Sequence, residues 1–544
     1  MNKPQHKIRG FSFLSETYDT DKIPKKTKWI FSVASIFRDS SYQLISSFLL
    51  TFMMYSGVLA TGNASGQYTQ QIFVINIIFI VCLVWDALND PIMGVLIEKV
   101  HFKTGKYKPW ILIGGVGNTI VLLCLFLLRP TGWAYIVCFG IFYFLWDFVF
   151  TMNDCAYWAM LPSLTSDEKE RNNVTTMVSI FVSLGTFAMY GVCSILPTAK
   201  NSSYIYGYIA IPTAILFLLS QLAIYFLCKE KKIDETQSKV SEQVKLADMF
   251  KMLGKNKPLL IIVLSLLFYY TACSLVVSFG SNYFYLSYGY GGETGGSIML
   301  IFTVMYALGT LLSQFLFKPL IDKFKRQTLL TWTFFIAVAA YIMLFLVGFP
   351  IFGEKPLAYN PNAGGGLGWA FGGTLSLLYI PPLLFFGAEG IYYMVLIVML
   401  QNTIEYGEYK YNERKEAVVS SWRPFTAKLS SAIQKGIILV TFLSAGIYGV
   451  TQQISETQSE LASKTAANPD NADLYANEAA TKVTSIINEV ARQPKIIMGI
   501  WMIGATIILL AASYILVHFF YEIDEEKYDF MVKEIKKRKE TTVQ

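Results

Sequence analysis

Long apolar runs separated by short polar connections dominate this chain, and the apolar–polar alternation of a soluble fold is missing. Crossing a bilayer as a helix takes about 20 mainly apolar residues. Twelve stretches qualify, near 29–60, 71–97, 109–128, 132–160, 174–196, 204–228, 257–280, 296–317, 327–349, 371–402, 418–450 and 496–521. Several exceed the minimum, which allows tilt or extension past the bilayer without fixing either. The pattern predicts an all-α membrane protein with twelve transmembrane helices.

Two polar interruptions organise the spans. The stretch 229–256, including DETQSKVSEQ, divides a first set at 29–228 from a second at 257–521, with tails at 1–28 and 522–544. Weak internal similarity suggests duplicated six-helix bundles. Ile97-Glu98-Lys99 closes the second span as Ile321-Asp322-Lys323 closes the eighth, and Glu170-Arg171 after the fourth has a counterpart in Glu413-Arg414 after the tenth. The other interruption, 451–495, opens with TQQISETQSE and later sets Val483, Ile486, Ile487 and Val490 at helical spacing. It reads as a short amphipathic helix on the outer face, a surface addition in preference to a lid. The Gly-rich segment 363–373 lacks the lysine and hydroxyl of a phosphate loop and reads as a flexible connection.

Composition agrees: 54% of the 544 residues are hydrophobic, only 15% are charged, and the mean hydropathy is +0.44. The net charge of +7 follows topology. Lys99, Lys103, Lys106 and Lys108 follow the second span, Lys229, Lys231 and Lys232 the sixth, and Lys318, Lys323, Lys325 and Arg326 the eighth. Basic residues concentrate in short cytoplasmic loops, so these loops and both termini are expected inside, with the chain in the plasma (inner) membrane. The basic positions suit a lipid bilayer with anionic headgroups and form no aromatic-interleaved patch for nucleic acid. No cleavable signal is evident in the polar first 28 residues. All seven cysteines lie in spans or at their ends, and His6, His101 and His518 lie outside the span centres. A disulfide framework, a CxxC metal site and a histidine relay are thereby excluded.

The chemistry lies in charged residues that should not be in a membrane. Asp86 and Asp90 stand four apart with Asn89 between them, and each costs roughly 2.5–3.5 kcal/mol at the bilayer centre unless it faces a wet cavity. Positions four apart share a helix face, so two carboxylates and an amide offer oxygen ligands for Na⁺ or a proton. Asp147, Thr151, Asp154 and Trp158 form a second stripe at spacings of four, three and four. If the stripes oppose, Thr151 joins the ion site; structural ion pairing is the alternative. Arg38 and Asp39 lie in the first span, where they either line the cavity or anchor the interface; Glu389 lies in the tenth, and Arg423 and Lys428 in the eleventh. Unpaired buried cations are costly, so the acids of the first half are the expected partners of Arg423 and Lys428 across a central seam. Trp158 beside carboxylates and an arginine has the equipment for a sugar, the ring stacking on the pyranose and charged groups taking its hydroxyls. Packing alone is the other reading of that ring.

WDALNDPIMG, GKYKPWILIGG, DCAYWAMLP, TSDEKERN and EYGEYKYNER resemble the glycoside-pentoside-hexuronide:cation symporter family of the major facilitator superfamily. The resemblance runs from about Phe31 to Tyr521, with 451–495 longer than the family's usual connection. It implies two six-helix bundles around a cavity, with sugar transport coupled to Na⁺, Li⁺ or H⁺. By position, Asp86, Asn89, Asp90 and Thr151 match the family's cation site; Arg38, Asp39, Asp154 and Trp158 match sugar-binding positions; Lys428 matches a lysine near the cation site. There are departures. Ser179 stands where an arginine contacts sugar, Arg423 replaces a neutral residue, and Asp147 replaces a small one, so Asp147 and Arg423 join the candidate substrate site and galactoside specificity does not transfer. Arg423 suggests acidic sugars, or else pairs with Asp147 or Asp154.

The expected activity is cation-coupled symport of a sugar, glycoside or hexuronide by a monomer, with no cofactor beyond the coupling ion. A lysolipid transporter of the same superfamily is the alternative. An enzyme is not expected, because no Ser/His/Asp set, metal cluster or HExxH occurs.

Overall fold

In hydrocarbon an unpaired backbone N–H or C=O costs several kcal/mol, so each apolar run is forced to pair its own backbone as a helix. The computed structural model describes residues 22–59, 66–100, 102, 104–165, 167–229, 246–292, 294–359, 368 and 370–543. His6, His101, linker residues 230–245 and Gly-rich residues 360–367 lie outside the described residues. The first half comprises α1 (Lys25–Tyr55), α2 (Gln67–Lys99), α3 (Lys108–Leu127), α4 (Trp133–Ser163), α5 (Glu168–Ile195) and α6 (Ile205–Leu227). A short helix, α7 (Leu246–Lys255), precedes the second half. That half contains α8 (Lys257–Tyr288), α9 (Gly295–Ile321), α10 (Arg326–Gly348), α11 (Ile380–Tyr411), α12 (Glu416–Ala445) and, after the hairpin α13 (Tyr448–Ala467) and α14 (Ala472–Asn488), α15 (Arg492–Phe520). The chain ends in α16 (Glu525–Val543).

Among the described residues there is no strand, and the packing repeats from one half to the other. In the first, α1 packs on α5 and α6, α2 on α4, and α3 on α4 and α6. The equivalent helices of the second pack identically: α8 on α12 and α15, α9 on α11, and α10 on α11 and α15. The cross-half pairs α2 with α12 and α5 with α9 also exchange under the same correspondence. This is the pseudo-twofold of a duplicated six-helix bundle.

Among the described residues ten helices are long and apolar enough to cross a membrane, and α12 with α13 qualifies as a bent pair. The missing one is α1, whose first half carries Arg38 and Asp39 among serines. Several boundaries differ from the hydropathy reading. The seventh span continues to Tyr288, the tenth to Tyr411, and the eleventh stops at Ala445 rather than 450. There Gly446 takes φ +67°, a left-handed cap that glycine adopts without strain, and the chain turns by 94° into α13. The segment 451–495 also departs from expectation: it holds two helices, and α13 buries Thr451, Ile454, Ser455, Gln458 and Leu461.

The ends of the bundle differ. The end bearing Lys25 and Glu525 is termed the terminus end and the opposite one the far end. At the terminus end Lys28 pairs with Glu170 at 3.3 Å, joining α1 to α5 within one half. At the far end the halves themselves are joined: Gly292 N donates to Pro197 O at 2.9 Å, Ser202 and Tyr290 share a 2.6 Å hydrogen bond, and Tyr55 packs against Tyr285 and Tyr290.

Candidate functional site

The inward face of α4 carries the predicted stripe, and its exposure rises along the helix from 2% at Thr151 to 35% for the Asp154 side chain and 38% at Trp158. This face of α4 is therefore accessible toward the terminus end and closed off at Thr151. Two clusters meet along this stripe.

The deeper cluster joins the halves. Thr151 Oγ1 donates to Asp86 Oδ1 at 3.1 Å, and Lys428 Nζ of α12 donates to Asp86 Oδ1 and Asp90 Oδ1, each at 2.6 Å. The i,i+4 spacing on α2 makes this geometry possible, because one ammonium can then span both carboxylates. Asp147, one turn before Thr151, lies near Asp86, and its buried Oδ2 has no hydrogen-bond partner among the described residues. Asn89 is also buried, and its amide nitrogen has no hydrogen-bond partner among the described residues. Among the described residues no three His, Cys, Asp or Glu side chains converge to hold a metal ion. Here the positive charge between the two acids is a lysine.

The shallower cluster centres on Arg38, which is 1% exposed. Its Nε and Nη2 donate to Asp39 Oδ2 at 3.0 and 2.8 Å, and Nη1 lies 3.2 Å from Asp154 Oδ1. The guanidinium stacks 4.2 Å from the Tyr157 ring centre and 5.1 Å from Trp158. Arg38, Asp39, Asp154 and Trp158 thus form one assembly at the cavity mouth, where a ring and charged hydrogen-bonding groups face water. Thr151 and Asp154, three apart on α4, tie the clusters together.

Arg423 is a correction. It pairs with neither Asp147 nor Asp154 and makes no ion pair among the described residues. It lies exposed beside Tyr270 and Tyr393, with its guanidinium 5.8 Å from the Tyr393 ring centre. Its five-residue separation from Lys428 turns it about 140° around the helix, away from α2. Glu389 likewise meets no cation; it is buried among tyrosines, accepting from the Tyr341 hydroxyl. Ser179 is exposed and returns its hydroxyl to Thr175 O at 2.9 Å.

Several neighbours escaped sequence reading. Tyr270 and Tyr393 flank Arg423, and only the four-residue step from Glu389 to Tyr393 hinted at a shared face. Lys435, 7% exposed, lies on the α12 face of Lys428 and 5.0 Å from the Phe79 ring centre, with no ion-pair partner among the described residues. Its seven-residue step from Lys428, two helical turns, was the available signal.

Two similarly packed helical halves built of membrane-length apolar helices, with charges paired across the seam, have the architecture of a multi-pass membrane transporter. The chain belongs to the family described as MFS/sugar transport protein, whose profile matches residues 42–467. It is similar to a lactose permease of Lactobacillus delbrueckii subsp. bulgaricus, at 24% identity over 75% of this chain and 61% of the relative. A raffinose carrier protein of Pediococcus pentosaceus is 26% identical over 74% and 59%. This chain thus spans about 60% of the length of those two relatives. An isoprimeverose transporter of Lactiplantibacillus pentosus is 24% identical over 78% and 81%. The fold matches an inward-facing, unoccupied bacterial homologue of the human lysosomal transporter Spinster with a TM-score of 0.58 at 11% identity, over 90% and 96% of the two chains. A D-xylose-proton symporter matches with a TM-score of 0.50 at 13% identity, over 86% and 98%.

Proposed function

We propose that this protein is a secondary transporter carrying a sugar or glycoside together with a monovalent cation, Na⁺ or H⁺, by alternating access. The observation carrying this reading is the Lys428 ammonium held between Asp86 and Asp90 across the seam. An incoming cation competes with that ammonium for the same oxygens, with Asn89 and Thr151 completing its surroundings. Displacement frees Lys428, alters the attraction between α2 and α12, and so links occupancy to rocking of the halves. The Arg38 assembly receives the sugar: Trp158 offers its face, while Arg38, Asp39 and Asp154 take hydroxyls. Relatives named for lactose, raffinose and isoprimeverose support the substrate class. The basic loops support a plasma-membrane orientation with both termini cytoplasmic, which makes the open end the inner one.

Linkage requires that sugar tighten cation binding by the factor that cation tightens sugar binding. Paired titrations of each ligand at zero and saturating concentration of the other test it, and unequal factors contradict a shared equilibrium. Asp90→Cys is expected to abolish coupling while leaving some sugar binding; unchanged cation stimulation would move the ion site elsewhere.

Arg423 favours a second reading within the same activity, preference for acidic sugars. An exposed guanidinium beside tyrosines, with no acid partner among the described residues, is available to a carboxylate. Competition between neutral glycosides and uronides tests it, and equal binding removes the idea.

A further inference from the structure

The far end is closed twice, and only one closure belongs to the membrane helices themselves. The loop 196–204 between α5 and α6 meets the turn between α8 and α9 on one side through the Gly292–Pro197 and Ser202–Tyr290 hydrogen bonds. On its other side it meets α13, which the chain supplies from the second half. Gln458, fully buried, accepts from Ser203 N at 3.1 Å and donates through Nε2 to Ala199 O at 2.6 Å. One amide side chain thereby satisfies a backbone donor and a backbone acceptor of the same first-half loop. Beside it α13 lies directly on the end of α1. A Cβ added at Gly57, whose φ is +80°, would fall 2.6 Å from Ser459 N, so no side chain fits between the two backbones. Thr451 lies beside Tyr68 at the start of α2, and the Tyr68 hydroxyl donates to Met54 O at 2.9 Å.

We propose that the hairpin of α13 and α14 is a strap that holds the far side of the cavity shut, and that release of the Gln458 clamp is a step of outward opening. The inference rests on the alternating-access reading. Both tethers of the hairpin lead to second-half helices: Gly446 joins it to α12, and residues 489–491 join it to α15. The surface it covers belongs to α1, α2 and the α5–α6 loop, all first-half elements. When the halves part at this end, either the strap releases or it holds them together. Its interface suits release. Thr451, Ser455, Thr457 and Gln458 are buried there beside Ile454 and Leu461, with no charged residue among them; the hydrogen bonds across to the loop are the two of Gln458, which water can replace at small net cost.

The test uses full-length protein in which Ser203→Cys and Gln458→Cys are joined by a short reducible bis-thiol reagent and then reconstituted. Cross-linked protein is expected to lose at least nine-tenths of its sugar uptake, to keep its substrate-induced thermal shift, and to recover uptake on reduction. Uptake at the uncross-linked rate with the bridge intact overturns the strap, because the hairpin then travels with the first half. If the uncross-linked double variant and wild type both fail to transport any sugar, the transport reading fails instead. A second measurement uses the clamp alone. With Ser202→Cys as reporter in detergent-purified protein, Gln458→Ala is expected to raise maleimide labelling at least fivefold, and unchanged labelling also counts against the strap.

Discussion

Lys428 of α12 and Asp86 of α2 meet at 2.6 Å across the boundary between the two halves, at the depth where the cavity closes. The ammonium also holds Asp90, so one side chain neutralises a pair of carboxylates that otherwise repel. A transporter that traps a small cation in this pocket has to move that lysine first.

Removal of the ammonium leaves both acids without a counter-charge. Losing one partner of a buried ion pair costs about 3–5 kcal/mol, an upper bound here because Lys428 keeps partial water contact. Lys428→Ala is therefore expected to lower the melting temperature in choline buffer, with Na⁺ or acid restoring more of it than in wild type. Equal losses in every buffer would mean that no small cation enters the vacated position.

Arg38 acts through a planar fork and a stacked face, neither of which lysine reproduces. Arg38→Lys is expected to weaken sugar binding at least tenfold, about 1.4 kcal/mol, by isothermal calorimetry, with the cation-induced thermal shift retained. Wild-type sugar affinity in that variant removes Arg38 from the substrate site.

The exposed Arg423 gives the opposite expectation for stability. It has no acid partner among the described residues, so Arg423→Gln should shift stability by no more than about 0.5 kcal/mol while lowering any preference for uronides over neutral glycosides. A melting temperature that falls as far as in Lys428→Ala would reveal an ionic partner in another state.

At the terminus end Glu525 anchors α16 to the start of α10, accepting from Arg326 N at 2.8 Å and Nε at 3.0 Å. Partial burial alone would raise its pKa, but these two donors outweigh it and hold the carboxyl below its ordinary value. A depressed folded-state pKa contributes stability above the unfolded carboxylate range and loses it as pH falls through the folded value. Hydrogen exchange in α16 should stay slow at neutral pH and accelerate below about pH 4.3, the ordinary Glu value. Glu525→Gln should exchange fast throughout; slow exchange in that variant would place the anchor elsewhere.

How much was legible follows from how far each contact depends on one helix. Asp86 with Asp90, and Thr151 with Asp154 and Trp158, were readable because helical periodicity alone sets which residues share a face. Lys428 could be matched to the acids from the cost of an unpaired cation. Arg423 could not, since the same rule applied equally, and its turn toward Tyr270 and Tyr393 depends on helix rotation. The strap was least legible. The composition of 451–495 is polar, as a surface loop would be, and its partners are backbone groups of residues 199 and 203, which leave no trace in side-chain pattern.

The most direct measurement is uptake of labelled sugar into proteoliposomes under an imposed Na⁺ gradient, an imposed proton gradient, or neither. Accumulation above equilibrium is expected under one of the two gradients, abolished in Asp90→Cys. Equal uptake under all three conditions, with the Asp90 variant indistinguishable from wild type, would contradict it.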